Sequence, residues 1–130
     1  MKDLKMRYFQ INEFDSPDKP GSGAMMDRDF LLLLDEARDI AGIPFRIGSG
    51  FRTPEWHANL TRRGYKTAKN SPHLLGLAAD ITVSNSRERW LVMDALLTVG
   101  IVRLGIGENF IHCDIDDHPK KSQHIIWTYY

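Results

Sequence analysis

Two stretches of period-two alternation constrain the fold of this chain more than any other feature of its sequence. From Gly76 to Val83, Leu77, Ala79, Ile81 and Val83 alternate with Gly76, Ala78, Asp80 and Thr82. From Phe110 to Asp116, Ile111, Cys113 and Ile115 alternate with Phe110, His112, Asp114 and Asp116. Successive side chains of a strand point to opposite faces, so each segment predicts one apolar face for a core and one face of small, polar or ionisable groups. The small residues Gly76 and Ala78 leave room on the face that carries Asp80, and His112 shares its face with Asp114. If the two strands are neighbours, Asp80 and His112 meet across the ladder, and His73 reaches in from the loop just before the first strand.

The segments around them add helices. Asp27 caps a helix in which Phe30, Leu31, Leu34, Ala37 and Ile40 follow helical spacing, and Gly42 stops it. The segment PFRIGSGF reads as a strand that ends near Arg52, and Thr53-Pro54 then opens a short helix with Pro in its first turn. Asn85 with Glu88 resembles a capping box for a third helix carrying Trp90, Leu91, Met93 and Leu97 and stopping at Gly100. Val102 to Ile115 and His124 to Thr128 read as strands joined by a polar turn at Asp116 to Ser122. Helices grouped beside a mainly antiparallel sheet predict an α+β fold.

A chain of 130 residues fits one domain with one hydrophobic core, here taken as residues 1–130, so its motifs are expected to share one site. Lys+Arg and Asp+Glu balance at 17 each, which leaves no basic field for nucleic acid. The lone Cys113 excludes an intramolecular disulfide framework and a thiolate zinc finger, and its strand position predicts a buried apolar role rather than a nucleophile. No stretch approaches the roughly 20 apolar residues of a membrane span. The segment MKDLKMRYFQINEF lacks the apolar run of a signal peptide, so a monomer made in the cytoplasm is expected.

Two neutral imidazoles and a carboxylate, His73, His112 and Asp80, are three good zinc ligands, and a fourth position left for water is the stoichiometry of a catalytic site. Taken singly, each residue has an ordinary explanation: a loop histidine, a hydrogen-bonded core histidine, a strand-edge charge. Arg52 alone could be a surface salt bridge, Ser71 a loop-capping hydroxyl and His57 a surface-helix residue. His118 and His124 read as turn and strand residues. Trp127, Tyr129 and Tyr130 read as cover for the core, with an aromatic subsite for sugar rings as the alternative.

As a set, these residues resemble a known family. Ser71-Pro72-His73-Leu74-Leu75-Gly76-Leu77-Ala78-Ala79-Asp80 fits the Ser-x-His-x-x-Gly-x-Ala-x-Asp pattern of the zinc D-alanyl-D-alanine carboxypeptidases, the M15 peptidases. Ser49-Gly50-Phe51-Arg52 resembles that family's Ser-Gly-Tyr/Phe-Arg segment, and Phe110-Ile111-His112-Cys113-Asp114 its closing Phe-Ile/Val-His-x-Asp strand. The resemblance implies a Hedgehog/DD-peptidase fold, zinc on His73, Asp80 and His112, and hydrolysis of a peptide bond in peptidoglycan stem or cross-bridge peptides. It also implies that Arg52 contacts the substrate carbonyl and stabilises the developing oxyanion, with Ser71 positioning the peptide; His57, in the segment just after Arg52, is read either as a substrate-pocket residue or as a surface-helix residue.

In several branches of the family an acid stands three residues before the last histidine ligand, and here that position is Asn109. Asp114 and Glu108 are the candidates for the general base, with Asp114 favoured; Asp114 could instead orient a ligand histidine. The absent acid leaves a second class open, a zinc-stabilised cell-wall-binding module without catalysis. With no signal peptide, a phage or prophage enzyme reaching the wall after release or delivery is expected.

Overall fold

In a computed structural model that describes residues 4–130, helix α1 spans Arg28–Ala41. The Asp27 carboxylate accepts from the Phe30 amide at 2.9 Å and Gly42 ends the helix, as the sequence predicts. Phe30, Leu31, Leu34 and Ala37 form its buried stripe, and Ile40, at the edge of that stripe, is exposed. Helix α2 spans Pro54–Arg62; Thr53 caps it by accepting from the Trp56 amide at 3.1 Å.

Helix α3 spans Ser86–Thr98 and packs on α1. The Asn85 side chain accepts from the Glu88 amide, but the Glu88 carboxylate reaches the Ser84 amide rather than that of Asn85, so the predicted box closes one residue early. The buried face is Val92, Ala95 and Leu96, whereas Trp90 is 57% exposed and Leu97 is also exposed. The expected face is therefore wrong. The runs Trp90-Leu91-Val92-Met93 and Ala95-Leu96-Leu97 put apolar residues on most sides of the helix, and periodicity alone cannot pick the side that meets α1.

Five strands, β1 (Arg46–Ser49), β2 (Ala78–Thr82), β3 (Arg103–Ile106), β4 (Phe110–Asp114) and β5 (Ile125–Thr128), form one sheet in the order β1-β2-β4-β3-β5. All neighbours are antiparallel except β3 and β5, which gives the α+β fold predicted. The polar segment after β4 is not a hairpin turn. Both edges of β4 are already paired, to β2 and β3, so the chain crosses to the free side of β3 and adds β5 there in parallel.

Gly76 also departs from expectation, because β2 begins at Ala78. Gly76 ends a 3-10 turn, Pro72–Leu75, at φ 72, and a Cβ there would lie 2.3 Å from the Met25 carbonyl oxygen. The position needs a glycine for its left-handed backbone and close packing, not to make room at a site.

Ile81, Leu104, Ile111 and Cys113 on the apolar face of the sheet share one cluster of buried side chains with residues of α1 and α3. The other face is left to carry polar groups. Among the described residues no helix is long and apolar enough to cross a membrane.

Candidate metal centre

The polar face of the two central strands holds the residues singled out above. Asp80 on β2 and His112 on β4 are direct partners across the ladder, and Ser49 on β1 lies opposite Asp80 on the other side. His73 comes from the 3-10 turn just before β2, where the Ser71 hydroxyl caps the turn by accepting from the His73 amide at 3.2 Å. Ser71 is buried in that role.

His73 Nδ1 stands 2.8 Å from the Gly50 carbonyl oxygen. A carbonyl can only accept, which assigns the proton to Nδ1 and turns the Nε2 lone pair toward Asp80 Oδ1, 3.3 Å away. His112 is held from both ends, with Nδ1 2.9 Å from Asp80 Oδ1 and Nε2 2.7 Å from Asp114 Oδ2. One ligand atom from each of His73, Asp80 and His112 lies within 4.8 Å of the others. The side chains are 3%, 16% and 6% exposed, so the centre is nearly dry but open at Asp80.

This donor set fits a single zinc ion. Two imidazole nitrogens and a carboxylate oxygen converge, while the remaining nitrogen of each ring is engaged by an oxygen acceptor, the arrangement that fixes the tautomer and angle of a metal-ligating histidine. The charges agree. Burial lowers His73 below the usual imidazole range, with Asp80 only partly offsetting it, so His73 is neutral. Burial also opposes charge on His112, but hydrogen bonds to Asp114 and Asp80 outweigh it and push the metal-free imidazole up to about 9. Burial raises Asp80, yet the neighbouring His73 and His112 hold its carboxyl far below the usual carboxylate range.

Asp114 lies on the outer side of the His112 ring from Asp80, and both its oxygens are engaged. Oδ2 meets His112; Oδ1 accepts from Arg103 Nε at 2.7 Å and from the Asp116 amide at 3.0 Å. Arg103, the β3 partner of Asp114, is itself buried, donates to the Ser122 carbonyl and stacks over Trp127 with Cζ 5.2 Å from the ring centre. The sequence reading missed Arg103. A charged residue opening a strand of otherwise apolar residues was its signal, but its partner is legible only from the β3–β4 register.

Glu108 is not where it was expected. The β3–β4 turn closes with the Gly107 amide donating to the Phe110 carbonyl, so strand alternation stops at Phe110 and Glu108 is an exposed turn residue. Asn109 lines the cleft in its stead. Cys113 is fully buried, and burial raises its thiol well above the ordinary value, in keeping with the core role predicted.

Arg52 stands where the chain leaves β1, its amide bonded to the His73 carbonyl. The side chain is only 12% exposed, and Nη2 lies 3.4 Å from Asp80 Oδ2. Nε donates to Ser49 Oγ at 3.0 Å, and Nη1 lies 3.4 Å from His57 Nδ1. His57 is a buried residue of α2 whose Nε2 donates to the Ala68 carbonyl at 2.8 Å, which leaves Nδ1 as an acceptor facing Arg52. It backs the arginine rather than facing solvent.

The centre opens into a cleft of about 1060 Å³. Trp56 and Tyr65 line one side and Trp127 and Tyr129 another. The expectation that Trp127 and Tyr129 cover the core is therefore not met. β5 is the edge strand of the sheet beside β3, its Trp127 and Tyr129 rings lie against His112, and Tyr130 is exposed.

His73, Asp80 and His112, on the floor of an open cleft, form a group that could hold one metal ion. The sequence profile described as Peptidase M15 matches residues 7–114, and the chain belongs to that family of peptidases. No curated protein matches the chain. The family match takes in Arg52, His73, Asp80 and His112, and it ends at Asp114, before β5.

Proposed function

We propose that this chain is a zinc-dependent peptidoglycan peptidase, a single domain of residues 1–130 that cuts a peptide bond in a stem or cross-bridge peptide, as a D-Ala-D-Ala carboxypeptidase or an endopeptidase. The convergence of His73, Asp80 and His112 within 4.8 Å on the floor of the Arg52 cleft carries the proposal. Zinc, when bound, supplies a Lewis acid that polarises the substrate carbonyl and acidifies water. The protein's own groups bind and orient the substrate. Arg52, one face of its guanidinium fixed by Ser49 and His57, presents charged donors to the oxygen on which negative charge develops. Ser71 fixes the turn that carries His73. The substrate of that reading lies in the cell wall.

Asp114 takes a different role from the one first expected of it. With Oδ2 on His112 and Oδ1 on Arg103 and the Asp116 amide, it orients the ligand ring instead of serving as proton acceptor. Asp114→Asn is expected to weaken zinc binding about 10- to 100-fold, and Arg103→Gln to weaken it in the same direction, both measured by chelator competition. An Asp114→Asn protein with unchanged zinc affinity but lost turnover would return Asp114 to the role of base.

A second reading is a zinc-stabilised wall-binding module, and one observation favours it. Among the described residues, the carboxylates lining the cleft are Glu13, Asp15, Asp80 and Asp114. Asp15 is tied to the Gly21 and Gly23 amides and Glu13 to the Gln10 amide, so neither is a free acid beside the centre. Digestion of purified peptidoglycan, with products read by mass spectrometry, separates the two readings. A peptidase releases fragments, stops with a chelator and resumes with zinc. Zinc-loaded protein that binds the wall and releases nothing is the module.

A further inference from the structure

β5 lies outside the family match, yet two aromatic rings from this edge reach the metal centre. Trp127 and Tyr129 are two apart on an extended segment and so share a face. Ile126 and Tyr130, on the opposite face, are exposed. The Tyr129 amide donates to the Ile106 carbonyl at 3.1 Å, which continues the parallel ladder one step past the end of β5 and fixes the ring's origin.

β3 stands between β5 and His112, and its residue in register with both Trp127 and His112 is Gly105. A Cβ at Gly105 would lie 2.6 Å from Tyr129 Cε2 and 2.7 Å from Trp127 Nε1. The missing side chain lets both rings cross β3, and they stand against His112 with centroids 5.5 Å away for Trp127 and 6.4 Å for Tyr129. Phe110 supports Tyr129 at 5.2 Å.

In the strand order, Arg52 follows β1 on one side of Asp80 and His112, and Tyr129 follows β5 on the other. Tyr129, Arg52 and Asp80 line the same cleft. Apolar wall alone is already supplied by Phe110 and Trp127, and the hydroxyl of Tyr129 adds a polar group at the end of a ring that is held in place.

Resting on the peptidase reading, we propose that Tyr129 is a further catalytic residue, whose hydroxyl donates to the substrate from the β5 side of the centre, opposite Arg52. Tyr129→Phe keeps the ring and removes the hydroxyl, which also accepts from the Trp127 indole. The test uses the zinc-loaded full chain and a peptidoglycan stem pentapeptide ending in D-Ala-D-Ala. Expected are a fall in kcat on the order of 10-fold, KM within about twofold and unchanged zinc affinity by chelator competition. Unchanged kcat, or a loss accounted for by weaker zinc binding, overturns the proposal.

If the wild-type chain cleaves nothing, calorimetric binding of the same peptide replaces kcat. Weaker binding by Tyr129→Phe then keeps the Tyr129 contact while the peptidase reading fails. Equal binding by both proteins, or none by the wild type, overturns the contact too.

Discussion

Asp80→Ala is expected to strip the protein of zinc and reduce peptidoglycan hydrolysis below detection. Asp80 Oδ1 faces both His73 Nε2 and His112 Nδ1, and Oδ2 faces Arg52, so one carboxylate touches both imidazoles and the guanidinium. Without it, two imidazoles and a guanidinium face one another with no anion between them, and only two ligands remain. Elemental analysis after zinc-replete purification checks the first half and product release the second. Stoichiometric zinc in the Ala variant would remove Asp80 from the coordination set.

The same centre gives the pH dependence its sign. In the metal-free protein His112 is raised from 6.5 to about 9, so the proton-dependent contact with Asp80 and Asp114 is fully present below pH 6.5 and lost as pH rises through about 9. Zinc must displace that proton. Its apparent affinity should therefore rise between pH 6.5 and 9, by up to about tenfold per unit while one proton is exchanged. Affinity that stays flat across this window would rule out a protonated His112 as the competitor.

Arg52→Ala is expected to leave zinc content unchanged and to lower turnover on the order of 100-fold, the usual cost of losing one oxyanion donor. The Arg52 side chain meets the centre through the outer oxygen of Asp80, at 3.4 Å, and its amide hydrogen bond to the His73 carbonyl is kept in the Ala variant, so the ligands survive its removal. Arg52→Lys should rescue poorly. An ammonium cannot bond Ser49, face His57 and still present a second donor to the substrate, which the planar guanidinium does from fixed positions. Full activity in the Ala variant would reduce Arg52 to a structural partner of Asp80.

The features legible in the sequence were those written in local periodicity. Alternation in the two central strands placed Asp80 and His112 on one face, and their pairing across the ladder followed from adjacency. Asp27 and Gly42 bounded α1 because capping is a local affair. The features that escaped depend on distant parts of the chain. Arg103 finds Asp114 only through the β3–β4 register, and β5 lies parallel to β3 because both edges of β4 were taken. Glu108 left the His112 face as soon as a tight turn broke the strand, and Gly76 read as a strand residue because its left-handed backbone leaves no mark in an alternation pattern.

The three residues of the centre are not anchored with equal strength. Asp80 and His112 sit on β2 and β4, each paired on both sides within the sheet, and separating them means breaking its middle. His73 sits on one short turn, fastened by the Ser71 cap, by the Arg52 amide on its carbonyl, by the Leu77 amide on the Pro72 carbonyl and by the Gly50 carbonyl on its ring. Local openings of a folded protein begin where few hydrogen bonds must break. A metal held by these residues is expected to leave through the loosening of Pro72–Leu75 while the rest of the sheet stays folded.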